Sequence, residues 1–243
     1  MGAVFGKISE ETPHFVSLGR IGPNGDIEIR RYDPLYTASV SSEDIPTTTT
    51  RAEFTRAAFG ALARYIGVFA EPQNKPRSGE TGPGEAISMT APVILASAEN
   101  AEADGGEPIA MTAPVVLSAD RADDTMSFIL PSKFIKEGHE PPIPLDSKVR
   151  IAKLPSRVLA VKVFSGELTK DIAQVVASEV VGALELEGKY TIKRNKHGLP
   201  AWEYMGYNAP FTLPWCRTNE AAVLLDDVAE LPSKRAIPCC SSK

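Results

Sequence analysis

The first half of the chain alternates apolar and polar residues over two short segments and then changes to a helical period. DIEIRRY, residues 26–32, carries its isoleucines at every second position, a pattern that predicts a half-buried strand. Asp33 and Pro34 predict a turn, and LYTASVS, residues 35–41, predicts a second strand. The pattern therefore indicates two strands joined by a short connection.

A helix is predicted after these strands. In TRAEFTRAAFGALARYIG, residues 50–67, Thr50 and Glu53 occupy the positions of a capping box, in which each side chain accepts a hydrogen bond from the backbone of the other residue. Apolar residues follow at helical spacing, and Gly67 lies where the helix is expected to end. The first half thus predicts a strand-strand-helix unit.

The second half repeats this order with different residues. VRIAKL (149–154) and RVLAVKVFS (157–165) predict strands, with a Pro-Ser turn between them. Thr169 is the expected N-cap of the next helix, and Gly188 is its expected end. The chain therefore looks like two fused units of the same kind.

Two such units predict an α+β fold. Further strands are expected at residues 126–131, 200–207 and 219–226. Two short-looped antiparallel sheets with one helix each join most simply into a curved sheet or distorted β-barrel, flanked by two helices and built as a pseudo-twofold repeat, with an apolar cleft between helices and sheet. We expect one domain over residues 1–225, with halves at about 20–131 and 148–225, and a flexible tail over 226–243.

The motif Met-Thr-Ala-Pro-Val occurs twice, at residues 89–93 and 111–115. Both copies alternate as strands do, but Pro92 and Pro114 each lack an amide hydrogen, so each proline is expected at an edge or a bulge. The linker between the copies is small, acidic and glycine-rich, which is typical of a loop. We expect one copy in the core sheet and the other in a pairing or inserted strand, and periodicity does not decide which.

Composition and charge narrow the class of protein. The 243 residues are 43% hydrophobic, enough for a substantial core, and the net charge of -5 comes without a basic arm, so nucleic acid is not an expected partner. No apolar run approaches the roughly 18 to 20 residues that span a bilayer, and acidic residues near the start argue against a signal or transit peptide. The 3 cysteines show no paired CxxC spacing. We therefore expect a cytoplasmic protein.

Several motifs together carry a resemblance to a known family. They are IEIRRY, ALARYIG, ISMTAPV, IAMTAPVV, MSFILPSKF, KVFSG and YNAPFTLPWCRTNE, in this order over roughly residues 3–225. Together they resemble the SOUL heme-binding protein family, and especially its plant-type cytosolic members, which also begin like MGAVFGKISEETP. The resemblance implies a curved sheet or distorted β-barrel with two flanking helices, which binds heme or another tetrapyrrole non-covalently in an apolar cleft without a known reaction.

The resemblance also implies a position for the tetrapyrrole, between the first helix and a loop before the last strand. A porphyrin is a large apolar disc with two propionates, so it suits aliphatic and aromatic walls with arginine at the rim. By motif matching, the expected binding residues are Arg56, Phe59, Leu62, Tyr65 and Ile66 on the helix and Tyr207, Phe211, Trp215 and Arg217 in the loop. Animal members can have a lysine in this loop. This chain has Thr212 at the nearest position, which leaves Arg217 as the loop's only cation.

Each assignment has a structural alternative. The apolar helix residues would show the same spacing if they only packed against the sheet. Met89 and Met111 carry thioether sulfur that can bind heme iron, but methionine is also a common filler of cores. His14, His139 and His197 all lie in loop-like segments, so no metal site is expected. Burial of the ring face is therefore expected to dominate binding, with metal-free porphyrin tolerated.

Three classes of function follow from these patterns. A carrier, buffer or sensor of tetrapyrroles comes first, and a non-catalytic scaffold or interaction subunit that keeps the fold without a ligand is the alternative. An enzyme acting on tetrapyrroles is the third, and it would need a titratable group in the cleft. The dispersed carboxylates, with no Gly-rich phosphate loop and no nucleophile elbow, do not favour it. We expect no catalytic residue.

Membrane contact is expected only through lipidated termini. Gly2 follows Met1, but Gly6 stands where the myristoylation pattern has Ser or Thr. Cys239 and Cys240 are candidates for palmitoylation. Because one acyl chain gives only marginal affinity, stable attachment would require modification at both ends.

Overall fold

The structure is a computed structural model, and it describes residues 6–47, 50–68, 71–77, 83–97, 124–195, 197–208 and 212–226. Within these ranges the strands are β1 (Phe15–Ile21), β2 (Ile27–Tyr32), β3 (Leu35–Ser41), β4 (Asn74–Lys75), β5 (Val93–Ser97), β6 (Asp124–Ile129), β7 (Ile143–Pro144), β8 (Arg150–Leu154), β9 (Arg157–Phe164), β10 (Trp202–Gly206) and β11 (Asn219–Leu225). The helices are α1 (Arg51–Ile66), the single turn α2 (Lys133–Lys136) and α3 (Lys170–Glu187). No helix in the described ranges is both long and apolar enough to cross a membrane.

The main sheet is a curled, antiparallel half-barrel that confirms the predicted repeat. Among the described strands its order is β1-β2-β9-β11-β10-β5-β6-β3-β8. We compare positions by counting inward from β2 on one side of the sheet and from β8 on the other. At each position a strand of one half lies opposite its counterpart from the other half: β2 with β8, β3 with β9, β6 with β11 and β5 with β10. This is the pattern that a twofold axis between β5 and β10 produces, and the fold is α+β as predicted.

One detail differs from the expected pair of short-looped sheets. Strands β2 and β3 are joined by two residues but pair with the other half of the chain, β2 with β9 and β3 with β8. Pro34 fixes its own φ and restricts Asp33 to extended backbone, so the connection forms a corner rather than a hairpin turn. The two halves therefore interlock within one sheet.

The helix ends follow the predicted capping chemistry. The Thr50 side chain accepts from the Glu53 backbone at 3.2 Å, and the Glu53 carboxylate accepts from the Thr50 backbone at 3.2 Å. Gly67 ends α1 with a φ of 82°, which a residue with a side chain rarely adopts. Thr169 caps α3 with a single side-chain bond, its hydroxyl accepting from the Ile172 backbone at 3.3 Å. The capping-box and N-cap predictions are thus confirmed.

Side chains alternate along each strand, so the sheet has two apolar faces. Met126, Leu95 and Tyr204 are cross-strand neighbours in one row. Met126 packs with α1, Tyr204 packs with α3, and Leu95 touches both clusters, so both long helices lie on the same face, here called the helix face. The opposite face carries its own buried cluster of Tyr32, Leu35, Ile94, Ile129, Leu159, Val161, Ala201, Met205, Ala222 and Leu224.

The first copy of the doubled motif leads directly into the core sheet. Its last residue, Val93, begins β5, which lies between β10 and β6 at the centre of the sheet. Pro92 immediately precedes the strand, where its missing amide hydrogen costs no ladder bond, so it stands at the strand start rather than at an edge or bulge. The second copy, the lipidation candidates at both termini and the tail after residue 226 lie outside the described residues.

Candidate functional site

A strip of half-buried apolar side chains lies on the helix face between α1 and α3. It consists of Phe59 on α1, Val93 and Leu95 on β5, and Leu168 just before α3. All four pack against the buried clusters under the helices, but none is fully covered. We call these four residues the interhelix strip.

The interhelix strip is continuous across three strands. The Phe59 ring packs edge to face on Phe128, with centroids 5.4 Å apart, and Phe128 is the cross-strand partner of Val93. Val93 in turn pairs with Gly206 on β10. A Cβ at Gly206 would lie 2.7 Å from Leu168 Cδ2, so glycine is what allows Leu168 to approach the strand here. The strip thus joins one long helix to the other.

Arg51, the first residue of α1, lies beside this surface. Its Nη1 is 2.5 Å from Asp124 Oδ2, and it donates to the Tyr204 hydroxyl at 3.3 Å. Tyr204 is the cross-strand partner of Leu95, and burial raises the pKa of its hydroxyl while the Arg51 charge opposes that rise. The Arg51 guanidinium is therefore already bonded to Asp124 and Tyr204. Arg56 is exposed in the first half of α1, and it has no ion pair within the described part of the chain.

Three of the helix residues expected to contact the ligand lie in the core. Leu62, Tyr65 and Ile66 are 0%, 1% and 2% exposed and pack against β3 and β6. The Tyr65 hydroxyl donates to the Pro142 carbonyl at 2.9 Å, and burial raises the pKa of that hydroxyl. A ligand would reach these side chains only if α1 moved away from the sheet. Phe59, by contrast, presents part of its ring at the surface.

The structure spreads the expected loop residues over different environments. Trp215 lies on a single 3-10 turn, Pro214–Cys216, and is 72% exposed. The Arg217 guanidinium is half-buried and donates through Nε to the Thr212 carbonyl at 2.9 Å. Phe211 lies outside the described residues. Tyr207 turns toward the opposite face of the sheet, where it packs against the buried cluster.

Tyr207 belongs to a buried polar network on that opposite face. Its hydroxyl donates to Glu220 at 2.6 Å, and Glu220 also accepts from Arg30 Nη1 at 2.8 Å. Arg30 Nε donates to Glu28 at 2.6 Å, and its Nη1 lies 3.1 Å from the Tyr32 hydroxyl. Burial and the Glu220 charge raise the pKa of Tyr32 to about 12, and they raise that of Tyr207 further. In this network Arg30 pairs with Glu28 and Glu220, so the buried charges on this face of the sheet are compensated.

We expect Tyr207→Phe to act on stability. The change removes a hydrogen bond to a buried carboxylate, so the free energy of unfolding should fall by about 2 kcal/mol. Tyr190→Phe is the matched control, because Tyr190 is half-buried without a hydroxyl partner in the described ranges, and it should stay within about 0.5 kcal/mol of the wild type. Urea unfolding of both variants measures the difference. Equal values for the two would show that the Glu220 hydrogen bond contributes nothing.

The interhelix strip suits the face of a tetrapyrrole ring rather than a metal ion. Its four residues offer carbon surface, which is what a large apolar disc requires. The histidines lie elsewhere: His14 is bonded to Asp33 at 2.8 Å, His139 lies 3.6 Å from Glu137, and His197 is exposed. Within the described ranges no group of three or more His, Cys, Asp or Glu residues could hold a metal.

Sequence reasoning missed most of the strip. Only Phe59 of the four was an expected ligand contact, because the motif match selected the helix and the loop. A signal for the others existed: Val93 and Leu95 share one face of the strand that begins at the last residue of the first MTAPV copy, and Leu168 directly precedes the N-cap Thr169. What the sequence does not show is that β5 lies at the centre of the sheet between the two helices.

Comparison of the sequence with known families identifies the family of this chain. The model of the family described as SOUL heme-binding protein matches residues 10–106 and 96–224. The chain belongs to the SOUL heme-binding protein family. The first match takes in α1 and β5, and the second takes in β6 and α3, so the elements around the interhelix strip all lie within the matched residues.

Solved structures similar in fold to this SOUL protein are distant in sequence. The C-terminal domain of EcmrR has 6% identity over 83% of this chain and 98% of its own, with a TM-score of 0.47. A hydrolase from Listeria innocua has 9% identity over 83% and 92%, with a TM-score of 0.46. SAV2435, bound to tetraphenylphosphonium, has 10% identity over 82% and 93%, with a TM-score of 0.38. At these values the likeness does not bear on ligand or activity. No curated protein sequence gives a significant match.

Proposed function

We propose that this protein binds heme or a related tetrapyrrole non-covalently, with one ring face on the interhelix strip, and acts as a carrier, buffer or sensor rather than as an enzyme. The observation that carries the proposal is the SOUL heme-binding match over residues 10–106 and 96–224. The geometry supports it, because the helix face offers half-buried apolar side chains beside fully packed ones. Covering such a surface with an apolar disc removes it from water, which makes the binding free energy more favourable.

Burial of the ring face contributes enough free energy for binding without a bond to the iron. Apolar surface removed from water contributes about 25 cal/mol per Å², so even a partly covered porphyrin gains several kcal/mol. Part of this gain offsets the translational and rotational freedom lost on binding. Heme, when bound, would add a redox-active iron at the ring centre, but the strip itself holds the ring and excludes water from one face.

Arg56 is the residue we propose for a propionate. It lies on α1 three residues before Phe59, it is exposed, and it is free of ion pairs within the described ranges. A guanidinium binds a carboxylate through two parallel hydrogen bonds, which would orient the ring. Arg51 and Arg217 are less suited, because both already bond to protein oxygen atoms.

We also propose a cytoplasmic, plant-type member of the family. The support for this is the unpaired spacing of its cysteines and the doubled MTAPV motif. In this setting the protein would exchange a tetrapyrrole with other cellular binders. Trp215 is 72% exposed on its short turn, and this side chain is the one we propose for contact with a partner protein.

The test is a titration of the purified protein with hemin and with metal-free protoporphyrin, followed by Soret absorbance. We expect both to bind with dissociation constants within about tenfold of each other, a difference of about 1.4 kcal/mol, because the ring face dominates. A double variant, His139→Ala with His197→Ala, should keep the affinity for hemin. If neither ring binds, the interaction-subunit alternative is favoured. If the double variant loses hemin but keeps protoporphyrin, an axial histidine carries the affinity and the proposal is wrong.

A further inference from the structure

A cavity of about 340 Å³ lies beside the corner between β2 and β3, against the helical turn α2. Five segments line it: the chain before β1, the corner between β2 and β3, Thr90 ahead of β5, the end of β6, and α2 with the residues just before it. Its lining includes Glu11, Thr12, Pro13, His14, Asp33, Pro34, Leu35, Thr90, Ile129, Leu130, Ser132, Ile135 and Lys136. None of these residues belongs to the interhelix strip. We call this space the corner cavity.

The floor of the corner cavity is apolar. Leu35, Ile129 and Leu130 are 7%, 6% and 2% exposed, and Ile135 is half-buried. Leu35 and Ile129 belong to the cluster on the opposite face, whereas Phe128, the neighbour of Ile129, points to the helix face. Leu130, directly after β6, belongs instead to the buried cluster under α1, so the sheet separates only the Leu35 and Ile129 part of the floor from the interhelix strip. A volume of this size is at the lower end of the range for small-molecule sites, about 300 to 1,000 Å³.

The rim of the corner cavity carries charges of both signs. Asp33 Oδ2 is 2.8 Å from His14 Nδ1, and Glu11 Oε1 accepts from the Ser132 backbone at 3.0 Å. These bonds use one oxygen of each carboxylate and fix both groups at the mouth. Lys136 supplies a positive charge that forms no ion pair with the residues the structure describes. The Ser132 hydroxyl does not cap α2.

We propose that the corner cavity binds a small zwitterion with an apolar body, the class to which apolar and aromatic amino acids belong. The apolar body lies on Leu35, Ile129 and Leu130. Its ammonium group lies between the carboxylates of Glu11 and Asp33, and its carboxylate pairs with Lys136. A purely anionic ligand would meet two carboxylates, and a purely cationic one would leave Lys136 unpaired, so complementarity favours a ligand with both charges.

Three probes with the same aromatic body test this assignment: L-phenylalanine, phenethylamine and hydrocinnamate. The first carries both charges, the second only the ammonium and the third only the carboxylate. Titrations followed by backbone amide shifts of Thr90, Ile129 and Ser132 report binding in the full chain. Phenylalanine should bind most tightly, by about fivefold over either single-charge probe, which is the upper range for a solvent-accessible ion pair.

Variants separate the two charges. Lys136→Met should weaken phenylalanine and hydrocinnamate by about fivefold and leave phenethylamine unchanged. Glu11→Gln keeps an acceptor for the Ser132 backbone but removes the charge, so it should weaken phenylalanine and phenethylamine instead. Lys133→Met is the control on the same helix, since Lys133 pairs with Glu85 and does not line the cavity.

The outcomes are distinguishable from those of the tetrapyrrole titration, because a Soret band reports only the ring. The proposal is overturned if phenylalanine causes no amide shifts up to its solubility limit. It is also overturned if phenethylamine or hydrocinnamate binds as tightly as phenylalanine, or if Lys133→Met and Lys136→Met have equal effects. Amide shifts with the expected order of probes and variants establish the site, whether or not porphyrin binds.

Discussion

Leu62→Asp is expected to unfold the protein. Leu62 is fully buried on α1, in a cluster of buried side chains from α1, β3 and β6. An aspartate there is either an unpaired buried charge or a protonated group without partners, and it also loses the packing of the leucine. We expect a loss of about 5 kcal/mol or more, comparable with the whole stability of an ordinary domain. Circular dichroism melting and urea unfolding measure it.

The control for this change is Leu62→Met, which conserves volume. It should cost less than about 1.5 kcal/mol and keep the melting transition cooperative. Porphyrin binding by Leu62→Asp should be lost together with the fold. A variant that melts like the wild type but no longer binds porphyrin would show instead that Leu62 faces the ligand, and it would overturn the placement of this residue in the core.

Phe59→Gln is expected to impair porphyrin binding while the fold persists. Phe59 is the α1 member of the interhelix strip and is half-buried, and glutamine has good helix propensity. Loss of the aromatic contact should weaken both hemin and protoporphyrin about 30-fold, or about 2 kcal/mol, since this is the range for burying one large apolar side chain. The measurement is the same Soret titration, combined with a melting curve.

Phe59→Leu is the matched substitution, because it keeps apolar surface without the ring. It should stay within about threefold of the wild-type affinity. The interhelix strip is the wrong surface if Phe59→Gln binds both porphyrins normally. If Phe59→Gln lost only hemin, the residue would act on iron rather than on the ring face, which the proposed mode does not allow.

The sequence was sufficient for the local elements but not for their pairing. The capping box at Thr50 and Glu53 and the N-cap at Thr169 predict both long helices, because caps are encoded within a few residues. β2 pairs with β9 and β8 pairs with β3, so each of these strands joins the other half of the chain. This pairing depends on the direction that the chain takes after the corner at Pro34, which apolar alternation does not predict. The strand β1 also went unrecognised, since its burial pattern lacks a regular alternation.

For the candidate site, helical spacing did not separate buried from half-buried residues. Phe59, Leu62 and Ile66 lie on one stripe in the sequence, yet only Phe59 reaches the edge of the packed cluster. The loop aromatics show the same limit. Tyr207 and Trp215 are eight residues apart in one loop motif, but one joins a buried network and the other is 72% exposed. Their surroundings come from the rest of the fold.

Methyl NMR of β5 during titration with protoporphyrin tests the central claim most directly. Val93, Ile94 and Leu95 are consecutive, and their side chains alternate between the helix face and the opposite face. A porphyrin on the interhelix strip shifts the methyl signals of Val93, Leu95 and Leu168 through its ring current and leaves those of Ile94 nearly unchanged. Shifts concentrated on Ile94, or no shift in the strip at saturating porphyrin, would contradict the account.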